Sequence, residues 1–380
     1  MNKNVILSVT IIILMIVLAL IPTGFEKEED PTYIKVRAKV MSVDNSQLEQ
    51  IGIVKVGSQS LQIKILDGKF KGKIVDAPNL LSGKLEIDKI FEPSDTILAV
   101  ISYNYDEILS ARALDYYRIH LEWILVGIFV AILIVFAGWT GFNALTSFCF
   151  TTLMIWKVLI PLFLLGYQPL IISAGVVIII CAAVIFLVAG INKKGVVAFL
   201  GSSAGIVVTC IFAIIFGKLF KVHGAIMPYA ESLLYAGFAE LDLTGIFLSG
   251  IYLASSGAIM DVAIDISASM QEIIYNSPPI NKRDLLKSGF NVGRAIIGTM
   301  TTTLLLAYSG GFTALMMLFM AQGIPMVNIL NYNFIAGEIL HTLVGSFGLI
   351  LTAPLTAFIG SILFTKNQVS LSDELSQKVV

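Results

Sequence analysis

Two kinds of hydrophobic pattern divide the chain. Residues 5–21 and most of 119–364 form apolar runs, and a membrane-spanning helix needs about 20 such residues. Between these runs, residues 32–104 alternate apolar and polar positions with period two, as in Ile34-Lys35-Val36-Arg37-Ala38-Lys39-Val40, which predicts half-buried β-strands. The pattern therefore predicts a polytopic α-helical membrane protein with a small β-rich domain between its first two helices.

The apolar runs and their breakers predict about eight transmembrane helices. Residues 312–330 are also apolar but contain Gly323-Ile324-Pro325, which predicts a re-entrant or interfacial hairpin, with a ninth span as the alternative. Pro354 is expected to break or tilt the last, over-long segment. No small-residue cleavage site follows the first run, which favours an uncleaved anchor over a signal peptide. The predicted helices cover residues 5–21, 119–138, 144–166, 170–190, 196–217, 246–270, 290–309 and 333–364.

The alternating segment predicts a barrel or sandwich of five or six strands. Residues 34–40, 51–56, 60–66 and 96–102 have strand character, and residues 106–118 are interpreted as a helical lead into the second span. Turns are expected at Asp67-Gly68, Pro78-Asn79, Ser82-Gly83 and Pro93-Ser94-Asp95. The predicted domains are an anchor (1–23), an extracytoplasmic β-rich domain (24–118), a helical membrane domain (119–366) and a cytoplasmic tail (367–380).

Composition and charge support this division. Hydrophobic residues make up 57% of the chain and charged residues 13%, whereas soluble proteins have roughly 25% charged residues. Residues 24–118 hold 28 of the 51 charged side chains. Basic residues in the loops at 190–196 and 271–289 place these loops, and both termini, in the cytoplasm of a cell whose cytoplasmic membrane holds the protein. A net charge of −1 without a basic stripe argues against a nucleic-acid partner.

The strongest candidates for chemistry are ionisable residues inside predicted spans, because such residues are costly in a bilayer. Asp261 and Asp265 are four residues apart, which places both carboxylates on one helix face. Such a pair would share a proton or bind a cation, as an ion-coupled transporter requires. The alternative for Asp265 is a position at the cytoplasmic interface.

Three further residues extend this hypothesis. Lys157 is expected near mid-membrane, where Asp261 or Asp265 would be its partner, with snorkelling to the interface as the alternative. Glu338 and His341 form a Glu-x-x-His motif, which supplies half of a metal site in helical bundles. With Asp261 and Asp265 it gives a weak candidate site for manganese, iron or zinc. A proton path, or an outer-interface glutamate beside a carbonyl-bonded histidine, is the alternative.

Other residues are assigned smaller roles. Arg294, Thr299 and Thr301 are included in the predicted ion or substrate path, although threonine hydroxyls in helices commonly bond to their own backbone. Cys149, Cys181 and Cys210 lie in apolar runs and are interpreted as small buried residues. No H-E-x-x-H, G-x-S-x-G or phosphate-cradling loop is present, so neither an enzyme nor a cofactor is predicted.

Two segments of the chain resemble a known family. With the predicted architecture, they resemble the YibE/YibF-like membrane proteins over essentially the whole chain. A looser resemblance, over the spans that contain Asp261, Arg294–Thr303 and Pro354, is to SecD/SecF-type export factors and resistance-nodulation-division permeases. That resemblance implies proton coupling at the position of Asp261. The two segments are Ser256-Gly257-Ala258-Ile259-Met260-Asp261-Val262-Ala263-Ile264-Asp265-Ile266-Ser267-Ala268-Ser269-Met270 and Gly293-Arg294-Ala295-Ile296-Ile297-Gly298-Thr299-Met300-Thr301.

These observations predict a proton- or cation-coupled membrane transporter for a small solute or a divalent metal ion. The alternative is a SecF-like envelope or protein-export accessory factor whose outer domain binds other proteins. The expected partners are the lipid bilayer, the transported solute or ion, and either a second copy of the chain or an envelope protein.

Overall fold

The computed structural model describes residues 3–26, 32–276 and 280–377, with side chains described from residue 5 to residue 365. The chain divides into two compact units. We call Glu26–Val135 the β unit, and Met1–Phe25 together with Phe136–Val380 the helical unit.

The β unit contains a six-stranded antiparallel sheet. Strand β3 pairs with β1, β2 and β4, while β5 pairs with β1 and β6. Strands β4 and β6 also lie against each other, so the sheet curls into a half-barrel. The strands are β1 (Tyr33–Asp44), β2 (Leu48–Ile51), β3 (Val54–Ile65), β4 (Ile74–Ser82), β5 (Thr96–Asn104) and β6 (Glu107–Tyr116).

The predicted alternation in β1 is confirmed. Val36, Ala38 and Val40 are buried, while Lys35 and Lys39 are exposed. Residues from four other strands and the loops around Phe70 and Phe91 join the β1 residues in one apolar core. One face of the sheet therefore packs on a core and the other faces water.

Two predictions in this unit are wrong. Residues 107–116 form strand β6 rather than a helical lead, because Ala111 and Ala113 face the core while the strand pairs along β5. Pairing with a sheet overrides the helix propensity of this alanine-containing segment. Pro78-Asn79 is not a turn but lies inside β4, whose backbone pairs with β3.

The helical unit contains α1 and the helices from residue 136 onwards. Helix α2 begins before this boundary and ends after it. The shorter helices α3, α6, α9 and α10 connect the longer ones. The full set is α1 (Lys3–Leu20), α2 (Ile119–Met154), α3 (Ile160–Leu164), α4 (Pro169–Ala189), α5 (Lys193–Leu219), α6 (Ala230–Tyr235), α7 (Leu243–Asn276), α8 (Lys282–Ser309), α9 (Thr313–Ala321), α10 (Met326–Asn331) and α11 (Asn333–Gln377).

Helix α2 consists of two helical segments that meet at Gly138. This residue has φ 54° and ψ −126°, a conformation that glycine adopts without a Cβ penalty. The second segment continues through a π-helical turn, Ile155–Leu159, into α3. The predicted break between two helices therefore falls at Gly138, and the second helix begins several residues before the predicted residue 144.

The two other predicted breaks have different outcomes. Helices α9 and α10 are short and are separated at Gly323, which has φ 63°, so the predicted interruption there is confirmed. Helix α11 continues through Pro354, so the predicted break does not occur, and the alternative of a tilt stays a prediction. Proline removes one backbone N–H, and helices that pack against neighbours tolerate this loss.

Helices α5, α7, α8 and α11, together with α4, form the core of the helical unit. Small residues let α5 and α11 approach closely: Gly201 faces Thr356, Gly205 faces Thr352, and Gly348 faces Thr209. A Cβ at Gly201 would lie 2.8 Å from the Thr356 Cβ. We call this contact the glycine–threonine seam; such small-residue contacts are typical of helices that pack in membranes.

Four of the core helices form two matched hairpins. Helices α5 and α7 make the first, and α8 and α11 make the second. Asn192 caps α5 by accepting a hydrogen bond from Gly195 N, and Asn281 caps α8 by accepting one from Asp284 N. In α8, Gly289 and Gly293 lie against α7 and α11, as Gly201 and Gly205 of α5 lie against α11 and α7.

Candidate functional site

Contacts between α7 and α11 show which residues of the two helices lie at the same level, that is, at the same position along the bundle axis. Gly337 lies against Phe247, and Gly345 lies against Ser255. The offset is 90 residues in both pairs (337 − 247 and 345 − 255), so the two helices run parallel. Glu338 is therefore level with position 248. Asp261 lies 13 residues further along (261 − 248), roughly 20 Å at about 1.5 Å per residue.

Glu338, His341 and Tyr308 meet near the end of the bundle where α11 begins. The Tyr308 and His341 rings have centroids 4.6 Å apart. The Tyr308 hydroxyl and His341 Nε2 are buried and have no hydrogen-bond partner among the residues that the structure describes. The Glu338 side chain makes no hydrogen bond or ion pair within the part of the chain that the structure describes. Because unsatisfied buried polar groups are costly, this cluster has binding capacity that the protein does not use.

Two apolar cavities adjoin this cluster. The α8–α11 cavity has a volume of about 250 Å³, and its lining includes Tyr308, Phe312 and Glu338. The second cavity, which we call the hairpin cavity, has a volume of about 890 Å³. Its lining includes residues from 311–319 around the start of α9 and residues 332–335 at the start of α11. Phe312 and Ile335 line both, so the two cavities are adjacent and Glu338 lies on the narrower one.

Asp261 and Asp265 lie on the open face of α7. Helices α4, α5, α8 and α11 pack around α7 and leave one stripe of it exposed, to which Gly257 also belongs. No Cβ at Gly257 would meet another atom within 4 Å. Among the described residues, neither aspartate makes a hydrogen bond or an ion pair. Both carboxylates are therefore on one accessible face, as their spacing predicts.

A contact to α5 fixes how deep these aspartates lie. Ser267 Oγ donates a hydrogen bond of 2.7 Å to the Lys194 carbonyl, at the start of α5. Asp265 is thus almost level with the end of the α4–α5 turn, which favours the interfacial position for this residue. Asp261 lies six residues above Ser267, or about 9 Å deeper into the bundle.

Lys157 does not pair with either aspartate, so the predicted partnership is wrong. Its ammonium donates a hydrogen bond of 2.9 Å to the Ile21 carbonyl, just past the end of α1. The helix that contains Lys157 starts after Gly138, so Lys157 comes about 18 residues later, roughly 27 Å along the axis. This distance nearly equals the hydrocarbon thickness of about 30 Å, which places Lys157 near a helix end and favours snorkelling.

Arg294, Thr299 and Thr301 lie on α8, and none of them makes a hydrogen bond or ion pair with Asp261, Asp265 or Glu338 among the described residues. Arg294 is exposed and lines a small cavity of about 290 Å³ beside Pro354. Thr299 donates to the Ile296 carbonyl and Thr301 to the Ile297 carbonyl. The two hydroxyls therefore bond to their own helix, which is the simpler of the two interpretations.

The four proposed metal ligands do not come together. Asp261 and Asp265 lie roughly 20 Å along the bundle from Glu338 and His341. Within the described ranges, no group of three or more His, Cys, Asp or Glu side chains could hold a metal ion. The metal site built from these four residues is therefore wrong.

Two features of the site escaped the sequence analysis. Tyr308 joins Glu338 and His341 only because α8 and α11 are antiparallel, and nothing near Tyr308 in the sequence indicates this. Gly201 and Gly205 form a G-x-x-x-G motif within an apolar run, which is a recognised signal for close helix packing. That motif could have predicted the glycine–threonine seam.

The lengths and apolar composition of the helices are compatible with an integral membrane protein. Six helical segments of the described residues are long and apolar enough to cross a membrane, and Val5–Leu20 is a shorter apolar helix. The six segments are Ile119–Leu164, Pro169–Ala189, Lys193–Leu219, Leu243–Asn276, Lys282–Ala321 and Asn333–Thr365.

The chain belongs to the YibE/F-like protein family, whose model matches residues 125–366. This match covers most of the helical unit and confirms the first resemblance over residues 125–366, and residues 1–124 lie outside it. Comparison with curated proteins gives no match, and comparison with solved structures gives none either. The looser resemblance to SecD/SecF-type factors and resistance-nodulation-division permeases therefore stays an expectation.

Proposed function

We propose that the protein is a proton- or cation-coupled membrane transporter for a small solute, with Asp261 as the coupling acid. One observation carries the proposal: Asp261 and Asp265 lie one turn apart on an open face of a helix long enough to span a membrane. Asp265 lies near the interface and Asp261 one turn deeper, and two carboxylates this close disfavour each other's ionisation unless a cation is bound. They can therefore take up and release a proton or cation during transport.

The arrangement of the bundle supports a mechanism in which the solute binds near one end and the coupling acid lies towards the other. The cavities beside Glu338 open at one end, and Asp261 lies towards the other end. The glycine–threonine seam packs α5 tightly against α11 at the level of Asp261. A solute that enters the cavities could reach the other end only if the helices move, as in alternating access.

The test uses proteoliposomes that contain a trapped pH-sensitive dye. Lipophilic cations, divalent metals and neutral solutes are added in turn, and solute-dependent proton movement is recorded. We expect Asp261→Asn to abolish the proton flux and leave folding largely intact, because the amide is isosteric and neutral. Glu272→Gln is the matched control, since Glu272 lies on α7 beyond Ser267 and bonds to Asn276. Wild-type flux from Asp261→Asn, or no flux from the wild-type protein with any solute, would contradict the proposal.

The alternative accessory role makes the opposite prediction. An envelope factor would tolerate Asp261→Asn in cells but would lose function when residues 32–116 of the β unit are deleted. A transporter should lose function with Asp261→Asn. Comparing the two variants at equal expression separates the two roles.

We also propose eight spans in a cytoplasmic membrane, with both termini in the cytoplasm. The starts of α5 and α8 share one end of the bundle and carry Lys193, Lys194, Lys282 and Arg283, an excess expected on the cytoplasmic side. Ser8 on α1 donates to Asn143, which donates to the Leu187 carbonyl near the end of α4. This network brings the start of α1 to the same end.

Cysteine labelling tests this topology. In a background where Cys149, Cys181 and Cys210 are alanine, Tyr105→Cys and Tyr235→Cys should react with an impermeant reagent added to intact cells. Lys193→Cys should react only after lysis. All three native side chains are exposed in the structure, so access depends on the side of the membrane. Labelling of Lys193→Cys in intact cells would overturn the proposed orientation.

A further inference from the structure

We infer that the α8–α11 cavity and the hairpin cavity bind a lipophilic organic cation, whose charge lies beside Glu338 and whose apolar groups fill the cavities. The inference rests on the proposed function in one respect, because it names the class of solute that a transporter would carry. Binding itself can be measured without transport.

The charge of the cavity lining determines whether a cation or an anion can bind. Of the described residues that line the two cavities, Glu338 is the single one with a formal charge at neutral pH. Its carboxylate faces an almost wholly apolar lining and has no partner among the described residues. Because an isolated carboxylate in such surroundings is costly, a bound cation would stabilise it, whereas an anion would be repelled.

Aromatic rings select the kind of cation. Tyr308 and Phe312 line the α8–α11 cavity beside Glu338. Phe312 meets Phe334 edge to face at 5.4 Å, and Phe319 stacks on Tyr332 at 5.4 Å in the wall of the hairpin cavity. Ring faces attract organic cations, particularly in desolvated sites. An ammonium or phosphonium with apolar substituents matches this lining.

A bare metal ion does not match it. Calcium takes six to eight oxygen ligands, and magnesium needs an octahedral set. Apart from Glu338, the α8–α11 cavity offers the hydroxyls of Tyr308, Ser309 and Thr342, and Ser309 Oγ already donates to the Leu306 carbonyl. The volumes of about 250 Å³ and 890 Å³ instead fall near the range of roughly 300–1,000 Å³ that is typical of small-molecule sites.

Two ions of equal shape and opposite charge test the inference. Radiolabelled tetraphenylphosphonium is equilibrated with the full-length protein in lipid nanodiscs, and binding to protein-free nanodiscs is subtracted. We expect saturable binding that unlabelled tetraphenylphosphonium displaces and tetraphenylborate does not. Equal competition by tetraphenylborate would show a purely apolar cavity, one that a lipid chain could fill, and would overturn the inference.

Substitutions test whether Glu338 is the residue that binds the charge of the cation. Glu338→Gln should weaken tetraphenylphosphonium binding about 10-fold or more, equivalent to about 1.4 kcal/mol, and Glu338→Asp should retain most of it. Tyr308→Phe, which keeps the ring, should bind nearly as well as the wild type, and Tyr308→Ala should bind less. Glu272→Gln, an acid of α7 outside both cavities, is the control and should bind normally. Wild-type affinity in Glu338→Gln would overturn the inference.

A second variant covers the case in which Glu338→Gln does not fold. Met316 lines the α8–α11 cavity and is 43% exposed, so Met316→Trp can fill the cavity without disturbing the core. It should weaken binding of tetraphenylphosphonium, and unchanged affinity would overturn the inference. Binding without transport would leave this inference standing and contradict the proposed function, whereas transport without saturable binding at Glu338 would do the reverse.

Discussion

The buried amide of the β unit and three acids of the helical unit differ in whether other groups of the protein bind them. In the β unit the buried Gln59 amide donates to Asn45 and the Phe91 carbonyl and accepts from Asn79 and Phe91 N. The ion pairs found among the described residues all lie in this unit as well. In the helical unit, Asp261, Asp265 and Glu338 have no such partner in the described structure. Satisfied polar groups hold a fold together, and unsatisfied ones are available to a ligand.

The largest expected effect is on the buried amide of the β unit. Gln59→Leu leaves the N–H and the carbonyl of Phe91 without partners, and each unsatisfied buried group costs about 1–3 kcal/mol. We expect the free energy of unfolding to fall by about 2–5 kcal/mol. Denaturant unfolding of residues 32–118, followed by circular dichroism, measures this loss. Gln62→Leu is the control, because Gln62 is exposed on the same strand. A loss as large for Gln62→Leu would show that the network has no special role.

A smaller effect is expected for Lys157 in the helical unit. Lys157→Met removes the bond to the Ile21 carbonyl, and hydrogen bonds from charged groups contribute about 1.5–3 kcal/mol. Because Lys157 and Asp261 do not meet, the double change with Asp261→Asn should be additive within about 0.5 kcal/mol. Thermal unfolding of the four proteins in one detergent measures the coupling. A coupling above about 1 kcal/mol would restore the predicted ion pair.

The smallest effect is a pH dependence within the β unit. Asp88 accepts hydrogen bonds from Ser82, Gly83 N and Lys84 N, which lower its pKa below the ordinary value of 3.8. A depressed pKa in the folded state contributes stability above the ordinary value, and this contribution is lost as the pH falls through and below 3.8. Asp88→Asn should therefore reduce the loss of unfolding free energy that residues 32–118 show as the pH falls in the acid range, which we call the acid limb. Ser82→Ala should reduce it less, and an unchanged acid limb in both variants would contradict the assignment.

Local sequence patterns predicted most of the fold. The features that they did not predict depend on contacts between segments that are distant in the sequence. Alternation in β1 and the apolar runs appear in the sequence itself. Strand β6 was missed because Ala111 and Ala113 suit a helix equally well until β5 pairs with them. In the candidate site, the shared face of Asp261 and Asp265 follows from their spacing. The level of Lys157 depends on a break at Gly138, and the contact of Tyr308 with His341 depends on which helices become neighbours.

The matched hairpins carry an evolutionary consequence. Ile191-Asn192-Lys193-Lys194 begins the first hairpin and Ile280-Asn281-Lys282-Arg283 begins the second, and helix starts in the two hairpins are 89 and 90 residues apart (282 − 193 and 333 − 243). Such a repeat is what duplication of one ancestral hairpin leaves behind. The two hairpins differ in a complementary way. The second has Glu338 where the first has Leu248, and the first has Asp261 where the second has Leu351. An ancestor with a single hairpin would have needed a second copy of itself to build this bundle, and the present chain carries both copies in one polypeptide.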